Sequence, residues 1–235
     1  MADRERYKRS AAEHALSYIQ SGMILGLGTG STATHLLRVL AEALRDGRLR
    51  GIVGVPTSDA IAELARQLGV PTATLAQRPR LDLALDGADE IDPALNLIKG
   101  LGGALLREKI VESSAERFIV LADETKLVPQ LGTRVPLPVE VVEFGLPLAS
   151  RRLTELGGVP ALRRQADGSP FRTDEGNIIL DCRFPGIADS AALNAAINAI
   201  PSVVEHGLFV GMASVALVGG PAGVATIVRA VDNRQ

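Results

Sequence analysis

The sequence predicts an α/β protein with a Rossmann-like parallel sheet flanked by helices and a smaller inserted α+β domain of the ferredoxin-like type. In the first half of the chain, short apolar runs alternate with helical patterns, which is typical of βαβ units and a parallel sheet. In the second half the order becomes β-α-β-β-α-β, the split βαβ arrangement. The composition agrees, because 46% hydrophobic residues with only 3% aromatic ones indicate an aliphatic core, as buried parallel strands have.

The elements of the first half follow from apolar periodicity and from glycine positions. A charged amphipathic helix is expected to begin near the N-terminus. Strands are predicted over residues 23–27, 51–55, 81–85 and 118–122, and helices over 31–44, 59–68 and 105–118. In the 31–44 helix, Leu36, Leu37, Leu40 and Leu44 share one face, and Gly69 ends the next helix. Such sheets bind ligands beyond the carboxyl ends of their strands, so the turns at those ends are candidate binding positions.

The elements of the second half predict the inserted domain. Strands are expected over residues 136–142, 160–165, 177–183 and 203–209, and helices over 147–156 and 189–200. The apolar run at 214–218 and the segment GVATIVRAV are expected to return to the first domain. The prediction is therefore a catalytic Rossmann-like domain of residues 1–132 plus 209–235 and a small ferredoxin-like domain of residues 133–208.

Charge, hydropathy and cysteine content exclude several classes of function. Lysine plus arginine number 25 against 27 for aspartate plus glutamate, and this net charge of −2 gives no electrostatic footprint for nucleic acid or for an anionic membrane. No apolar run approaches the roughly 20 residues of a membrane span. The lone Cys182 cannot form an intrachain disulfide and lies in a strand-like run, so we expect a core residue and a reducing, cytoplasmic location.

The glycine-rich turn GLGTGST, residues 26–32, follows the first predicted strand and opens a helix. A helix N-terminus offers backbone N–H groups and partial positive charge, and the hydroxyls of Thr29, Ser31 and Thr32 add donors, which favours anion binding. A dinucleotide-binding fingerprint fits less well, because Ser31 stands where its third glycine would be, and the lysine of a P-loop is missing. The other interpretation is a structural turn with an N-cap serine.

An acid turn, DGAD at residues 86–89, directly follows the third predicted strand. Asp86 and Asp89 can point toward one ligand, where they would accept hydrogen bonds from sugar hydroxyls or act as acid and base. The alternatives are Asx turns or a magnesium site, although no histidine lies near in the sequence. Glu90 and Asp92 are expected to face solvent.

Lys99, a glycine-rich loop and Glu108 come next along the chain. Lys99 precedes the loop GLGG, so an ammonium group and backbone N–H groups could together stabilise negative charge on a reacting oxygen. Glu108 lies about one turn into the following helix on an apolar-leaning segment, and a partly desolvated carboxylate there would be a useful base at neutral pH. Taken alone, each has a plainer interpretation, a solvated lysine at a strand end and an exposed helical glutamate.

Several motifs in register resemble one enzyme family. The chain carries, in the order seen in type A ribose-5-phosphate isomerases, the motifs GLGTGST, SDAIAELARQLG, DGADEID, KGLGGALLREKI, ADETK and LPVEV. The resemblance extends over essentially the whole chain, including the segment NAINAIPSVVEHGLF. It implies an aldose–ketose isomerase that interconverts D-ribose 5-phosphate and D-ribulose 5-phosphate through an enediolate, in the non-oxidative pentose phosphate pathway.

The resemblance also implies catalytic roles. Glu108 matches the family's general base, which moves a proton between C2 and C1. Asp86 and Asp89 match the acids that bind the open-chain sugar and assist ring opening and proton movement on oxygen. Lys99 and the loop after it match the group that stabilises the enediolate. Some members have three consecutive glycines where this chain has Gly100, Leu101 and Gly102, and a leucine can still present its backbone N–H unless the position needs a positive φ.

The remaining substrate contacts implied by the resemblance lie at the sugar and its phosphate. Ser31, Thr32 and Lys126 match the phosphate positions, and Lys8 matches an N-terminal lysine that also approaches the phosphate. The full set of substrate-binding positions is Lys8, Thr29, Gly30, Ser31, Thr32, Asp86, Gly87, Ala88, Asp89, Lys99, Gly100, Leu101, Gly102 and Lys126. The resemblance implies a small-molecule substrate, no metal or organic cofactor, and a homodimer or homotetramer.

Two other functions fit parts of the pattern. A sugar-phosphate sensor of related fold would bind an effector without turning it over, but such regulators usually bring a DNA-binding segment, and this chain has no basic stripe. A related α/β enzyme that acts on an amino-sugar phosphate or transfers CoA would need different acids or a covalent glutamate in another context.

Overall fold

The structure, a computed structural model, describes residues 2–230, and the chain divides into two compact units. The first unit comprises Met1–Gly87, Glu108–Lys126 and Gly211–Gln235, and the second comprises Ala88–Arg107 and Leu127–Val210. The chain leaves the first unit after Gly87 and returns to it at Glu108. Two of the predicted catalytic acids, Asp86 and Glu108, therefore lie within one residue of these crossings.

The first unit is built on a six-stranded sheet. Its strands are β1 Ile24–Leu27, β2 Val53–Pro56, β3 Leu83–Gly87, β6 Phe118–Asp123, β12 Val215–Gly220 and β13 Gly223–Val228, in the order β13–β12–β6–β3–β1–β2. All neighbours from β12 to β2 pair in parallel, and β13 pairs antiparallel with β12 at the edge. The predicted parallel sheet is confirmed, and the tail returns to it as expected.

Helices pack against both faces of this sheet. The helices are α1 Ala2–Ala15, α2 Ser31–Arg45, α3 Asp59–Leu68 and α4 Leu105–Ser113. On one face, Leu36, Leu37 and Leu40 of α2 join leucines of β1 and β3 in the main core cluster. On the other face Val111 of α4 packs so close to β1 that a Cβ on Gly26 would lie 2.7 Å from its side chain. Each fully buried leucine stabilises such a core by about 1.5–3 kcal/mol.

The second unit contains two antiparallel sheets. The larger has strands β7 Leu137–Val141, β8 Val159–Leu162, β9 Ile178–Arg183 and β10 Val203–His206 in the order β10–β7–β9–β8, with helices α5 Leu146–Glu155 and α6 Ser190–Asn198. The predicted β-α-β-β-α-β order is confirmed. The smaller has strands β4 Glu90–Ile91, β5 Leu97–Ile98 and β11 Leu208–Phe209 in the order β11–β5–β4. The sequence did not predict β4 and β5, because two residues are too few to show a period.

Two predicted elements were wrong in extent. The helix predicted over 105–118 ends at Ser113, because the Ser114 hydroxyl donates to the carbonyl oxygen of Ile110 and the backbone then pairs with Leu81. The strand predicted over 203–209 is divided at Gly207. A Cβ on Gly207 would lie 2.2 Å from the carbonyl oxygen of Lys99, so β10 and β11 pair in different sheets on either side of a close backbone contact.

The compact units group residues differently from the predicted domain limits. Residues 88–107 and 127–132 lie in the second unit, because β4 and β5 form a sheet with β11 and not with the six-stranded sheet. The catalytic assignment of the first domain stays a prediction. In residues 2–230, no helix is both long and apolar enough to span a membrane.

The expectation that Glu90 faces solvent was wrong. Glu90 is fully buried in the second unit, and its carboxylate accepts hydrogen bonds from the backbone N–H groups of Gly132, Arg134 and Val135 at 2.5, 2.7 and 2.9 Å. Asp92 is half-buried and accepts from Ala94 and Asn96. Both acids therefore bind backbone, as buried carboxylates must find donors. The Cys182 thiol is buried in the core as predicted, and burial raises its pKa to about 12.

Candidate active site

Three neighbouring parallel strands of the first unit end in polar turns at one edge of the sheet. β3 carries Asp86 and Gly87 at its end and lies between β1, which leads to Gly28, and β6, which ends with Asp123. The chain runs from β1 to β2 on one side and later to β3 on the other, so this is a point where the strand order reverses. Such points form ligand crevices in open α/β sheets.

Asp86 lies directly against the backbone of Gly28. Asp86 is buried, and a Cβ on Gly28 would lie 2.0 Å from its Oδ1 atom, so no residue with a side chain fits there without displacing the carboxylate. The Gly28 N–H donates to the carbonyl oxygen of Leu85 at 3.0 Å, and Asp86 Oδ1 accepts from the Gly87 N–H at 2.6 Å. The first predicted glycine turn and the acid turn are therefore in contact.

The N-terminus of α2 has the form of an anion site. Its cap is Gly30, with a φ of 107° and no side-chain hydrogen bond at the cap, and a Cβ on Gly30 would meet no heavy atom within 4 Å. Ser31 is the first helical residue, so the alternative of an N-cap serine was wrong. The backbone N–H groups of the first turn and the partial positive charge of the helix favour an anion such as phosphate.

Hydroxyl groups at the second βα turn hold Thr29. Its Oγ1 atom lies 2.7 Å from Thr57 Oγ1 and donates to Ser58 Oγ at 2.8 Å. Thr57 in turn donates to the carbonyl oxygen of Leu27, and Ser58 caps α3 by accepting from the Ile61 N–H. The turn after β1 is therefore braced by the turn after β2.

Lys8 on α1 reaches the start of α2. Its Nζ atom donates to Ser31 Oγ at 2.9 Å and to Glu5 Oε1 at 2.7 Å, and Glu5 Oε2 lies 2.9 Å from His35 Nε2. Hydrogen bonds from Lys8 and His35 lower the pKa of Glu5 to about 2. The sequence motifs did not identify Glu5 and His35 as part of this cluster, although the i,i+3 spacing of Glu5 and Lys8 on a helix was an available signal.

Lys126 also belongs to the first unit. It ends the short 3-10 turn Glu124–Lys126, which directly follows β6, and it is half-buried. The turn is fixed by the buried Asp123, whose carboxylate accepts from the N–H group of Thr125 at 2.9 Å and from its hydroxyl. The lysine thus follows a strand next to the one that carries Asp86.

Lys99 is buried in the second unit, so the alternative of a solvated lysine was wrong. Its backbone N–H donates to the carbonyl oxygen of Gly207 at 2.9 Å, and its Nζ atom lies 5.3 Å from the centroid of the Phe209 ring. A cation over an aromatic face at this distance is attracted to the ring. Gly207 and Phe209 therefore position Lys99, and nothing in the local sequence pattern signalled them.

The loop after Lys99 is held by one arginine. Arg163 donates from Nη1 to the carbonyl oxygens of Gly100 and Leu101 at 3.2 and 3.0 Å, while Asp181 binds its guanidinium through two hydrogen bonds. Tying down the carbonyl groups fixes the direction of the loop's backbone. Gly100 has a φ of 97°.

Leucine at position 101 suits this loop. Among the described residues other than glycine, only Leu95 has a positive φ, so position 101 does not require glycine. The Leu101 N–H donates to Asp89 Oδ2 at 3.1 Å. The loop and the acid turn are therefore joined within the second unit.

Glu108 is the fourth residue of α4 and is only 4% exposed. The alternative of an exposed helical glutamate was wrong. Buried ionisable side chains are more frequent at functional sites than elsewhere, so they mark candidate sites. The first unit brings Asp86 to the glycine turn and Lys8 to Ser31, and the second brings Asp89 to the loop after Lys99. In residues 2–230, no cluster of three or more His, Cys, Asp or Glu side chains is arranged to hold a metal ion.

Comparison with known proteins places most of the chain in one family. Residues 53–223 match the model of the family described as Ribose 5-phosphate isomerase A (phosphoriboisomerase A). The chain belongs to this family. It is 64% identical over 222 residues to the Ribose-5-phosphate isomerase A of Roseiflexus sp. strain RS-1, covering 94% of this chain and 95% of the relative.

Solved structures of the family have the same fold. A D-ribose-5-phosphate isomerase in complex with phospho-erythronic acid superposes with a TM-score of 0.94 at 42% identity, over 96% of this chain and 99% of the other. Ribose 5-phosphate isomerase A from Methanocaldococcus jannaschii gives 0.91 at 42% identity, over 95% and 99%. The predicted α/β fold with an inserted domain is confirmed, and the resemblance found from the motifs is a family relationship.

Proposed function

We propose that this chain interconverts D-ribose 5-phosphate and D-ribulose 5-phosphate, in line with relatives that are named ribose-5-phosphate isomerases. The observation that carries the proposal is the burial of three charged side chains, Asp86, Lys99 and Glu108, in a chain of this family. Ionisable side chains are costly to bury, and buried ones cluster at functional sites, so these three groups are the candidates for the chemistry.

Proton transfer is the chemistry that these groups support. The hydrogen on C2, next to the C1 aldehyde, is weakly acidic, and its removal leaves an enediolate. Glu108 takes this proton from C2 and returns it to C1, while a second proton moves from the C2 hydroxyl to the C1 oxygen with the assistance of Asp86 and Asp89. The two transfers together convert the aldose to the ketose. General base catalysis of this kind contributes typically ~10²–10⁴-fold, so groups that stabilise the enediolate oxygens supply much of the remainder.

Lys99 and the loop after it are the proposed oxygen-stabilising groups. Gly207 holds the Lys99 backbone, the Phe209 ring lies against the Lys99 ammonium, and Arg163 holds the loop, so little reorganisation is needed as charge develops. Asp86 and Asp89 accept hydrogen bonds from the sugar hydroxyls and carry protons during ring opening. Leu101 donates its N–H to Asp89, so this loop also orients that acid.

The phosphate end of the substrate is proposed to bind at the N-terminus of α2. Its N–H groups, the hydroxyls of Ser31 and Thr32, and the ammonium groups of Lys8 and Lys126 are all donors that suit a phosphate. Lys8 already donates to Ser31. Binding energy at this non-reacting group can position C1 and C2 for reaction.

The ligand of one solved relative is consistent with this assignment. Phospho-erythronic acid, named in that structure, carries a phosphate and a carboxylate on one carbon chain. Its two carboxylate oxygens resemble the two oxygens of an enediolate, and tight binding of such analogues is expected of a site that stabilises the transition state. The same compound is therefore a suitable probe for this chain.

The overall reaction fixes what else is required. Aldose and ketose have the same oxidation state, and a base with charge stabilisation is sufficient, so the proposed mechanism uses no metal or organic cofactor. We also propose a cytoplasmic location, a role in the non-oxidative pentose phosphate pathway, and a homodimer or homotetramer, as the family resemblance implies.

The test is a direct assay of ribulose 5-phosphate formation from ribose 5-phosphate by the purified chain. The proposal expects turnover that is inhibited by phospho-erythronic acid. Binding of ribose 5-phosphate with no turnover would contradict it and favour a non-catalytic sugar-phosphate binder.

A further inference from the structure

The first turn of α4 is tied to a tight turn elsewhere in the second unit. Arg107 is the third residue of the helix, and its Nε atom donates to Glu175 Oε1 at 2.5 Å. Its Nη1 atom donates to Asp174 Oδ2 at 3.4 Å. Arg107 is half-buried, whereas Asp174 and Glu175 lie at the surface, so the geometry of the paired arginine and not the strength of either ion pair is what matters here. The next residue of the helix is Glu108.

The turn that Arg107 binds, at residues 173–177, is itself held by hydrogen bonds. The N–H of Thr173 donates to the carbonyl oxygen of Asn177, and the N–H of Gly176 donates to that of Thr173. The Thr173 hydroxyl accepts from the Asn177 N–H at 3.2 Å. Gly176 has a φ of 79°, which favours glycine. Asp174 and Glu175 are therefore presented from a fixed backbone.

A buried carboxyl group anchors this turn to the sheet. Glu140 lies in β7 and is fully buried, and its Oε1 atom accepts from Thr173 Oγ1 at 2.8 Å and from Asn177 Nδ2 at 2.9 Å. Its Oε2 atom has no hydrogen-bond partner among the described residues. Burial raises the pKa of Glu140, and the carboxylates of Glu175 and Glu205 add to this rise.

A small cavity joins Glu140 to the start of α4. It has a volume of about 10 Å³ and is lined by Gly103, Ala104, Leu106 and Arg107 on one side and by Glu140 and Thr173 on the other. This volume is on the scale of a single water molecule and is too small for a substrate. The cluster is therefore a packed support for the helix and not a second binding site.

We propose that Arg107 and Glu140 are positioning residues for Glu108. Glu140 fixes the turn at residues 173–177, the turn fixes Arg107, and Arg107 fixes the first helical turn from which the Glu108 carboxylate is presented. This inference rests on the proposed function, since it assigns Glu108 as the base. A displacement of about 1 Å at a reacting group can cost roughly 100-fold in rate, so a support of this kind has a measurable effect.

The first test replaces Arg107. Arg107→Gln is expected to lower kcat for ribose 5-phosphate by roughly ten- to a hundred-fold with little change in KM. It is also expected to shift the acidic limb of the kcat–pH profile, because a displaced carboxylate titrates in a different environment. Arg152→Gln, which removes an exposed arginine–glutamate pair of α5 in the same unit, is the matched control and should leave both unchanged.

The second test replaces Glu140 in two ways. Glu140→Gln keeps an oxygen that can accept from Thr173 and Asn177, so it should retain most of the wild-type kcat. Glu140→Leu leaves both donors unsatisfied and should reproduce the Arg107→Gln loss. Should Glu140→Leu fail to fold, the double variant Arg107→Gln/Glu175→Gln decides, since it should lose no more activity than Arg107→Gln alone.

The outcomes separate this inference from the proposed function. An inactive wild-type chain would overturn the proposed function and the role of Glu108 together. An active wild type with an Arg107→Gln variant of unchanged kcat and pH profile would overturn the positioning role alone. A loss of kcat that only follows the fraction of folded protein, with no shift of the pH profile, would show a merely structural role and would also overturn it.

Discussion

The two units hold their candidate site groups in different ways. In the first unit, Asp86 lies at the end of a parallel strand, and Gly30 and Lys126 lie in the turns that follow two neighbouring parallel strands, so all three are at one edge of the sheet. In the second unit, Lys99 and its loop are held by Gly207, Phe209 and Arg163, which are far away in the sequence. Local motifs therefore define one half of the site groups, and long-range contacts define the other.

The largest loss of activity should come from replacing Glu108, the proposed base, which lies in the first unit. Glu108→Gln removes the proposed proton acceptor but keeps the size of the side chain, so kcat should fall by ~10²–10⁴-fold or more. The affinity for ribose 5-phosphate, measured by titration calorimetry, should change little. Glu116→Gln, at an exposed glutamate of the same unit, is the control. Near-normal turnover by Glu108→Gln would remove the base assignment.

A nearly equal loss of kcat is expected when the positive charge of Lys99, in the second unit, is removed. Lys99→Met removes the ammonium group that stabilises the enediolate, and loss of one such group costs roughly 10²–10³-fold in kcat. Phe209→Leu keeps the lysine but removes the aromatic face beneath it, so its loss should be smaller. Steady-state kinetics should show the greater loss of kcat for Lys99→Met, and a greater loss for Phe209→Leu would contradict the role of the ammonium group.

The long-range support of the loop should have an intermediate effect. Arg163→Ala frees the carbonyl groups of Gly100 and Leu101, and we expect about a tenfold loss in kcat/KM. Arg164→Ala is a close control, because that neighbouring arginine is exposed and donates to the carbonyl oxygen of Gly168 within its own hairpin. Equal kinetics for the two variants would mean that the loop needs no such support.

The phosphate site gives an effect on binding and not on chemistry. Lys126→Ala should raise KM for ribose 5-phosphate roughly tenfold, since a hydrogen bond to a charged group is lost. The same variant should hardly affect turnover of unphosphorylated ribose. Equal effects on the two sugars would argue against a phosphate contact at this position.

The smallest effect should come from Glu5, which supports Lys8 at an exposed position. Glu5→Gln should raise KM by less than about fivefold. Because the pKa of Glu5 is lowered from 4.5 to about 2 in the folded chain, its contribution to stability is present above pH 4.5 and is lost as the pH falls toward 2. Unfolding curves of wild type and Glu5→Gln should therefore differ near neutral pH and converge in acid.

The sequence predicted the groups that depend on local motifs better than those that depend on long-range contacts. Gly28 and Asp86 were found because strand–turn–helix signals are local, although only the structure shows that the aspartate excludes a side chain at position 28. Glu108 and Lys99 looked ordinary in isolation, because their burial depends on residues distant in the sequence, which the local hydrophobic pattern does not identify. Arg163, Phe209 and Glu140 act through contacts distant in sequence, so no local pattern could identify them.

The most direct test of the central claim follows the hydrogen on C2. Ribose 5-phosphate carrying deuterium at C2 can be incubated with the wild-type chain and followed by NMR as ribulose 5-phosphate forms. We predict that the C2 deuteron is removed at the rate of product formation and that Glu108→Gln abolishes both. Tight binding of the sugar phosphate with full retention of deuterium at C2 would contradict the proposed isomerisation.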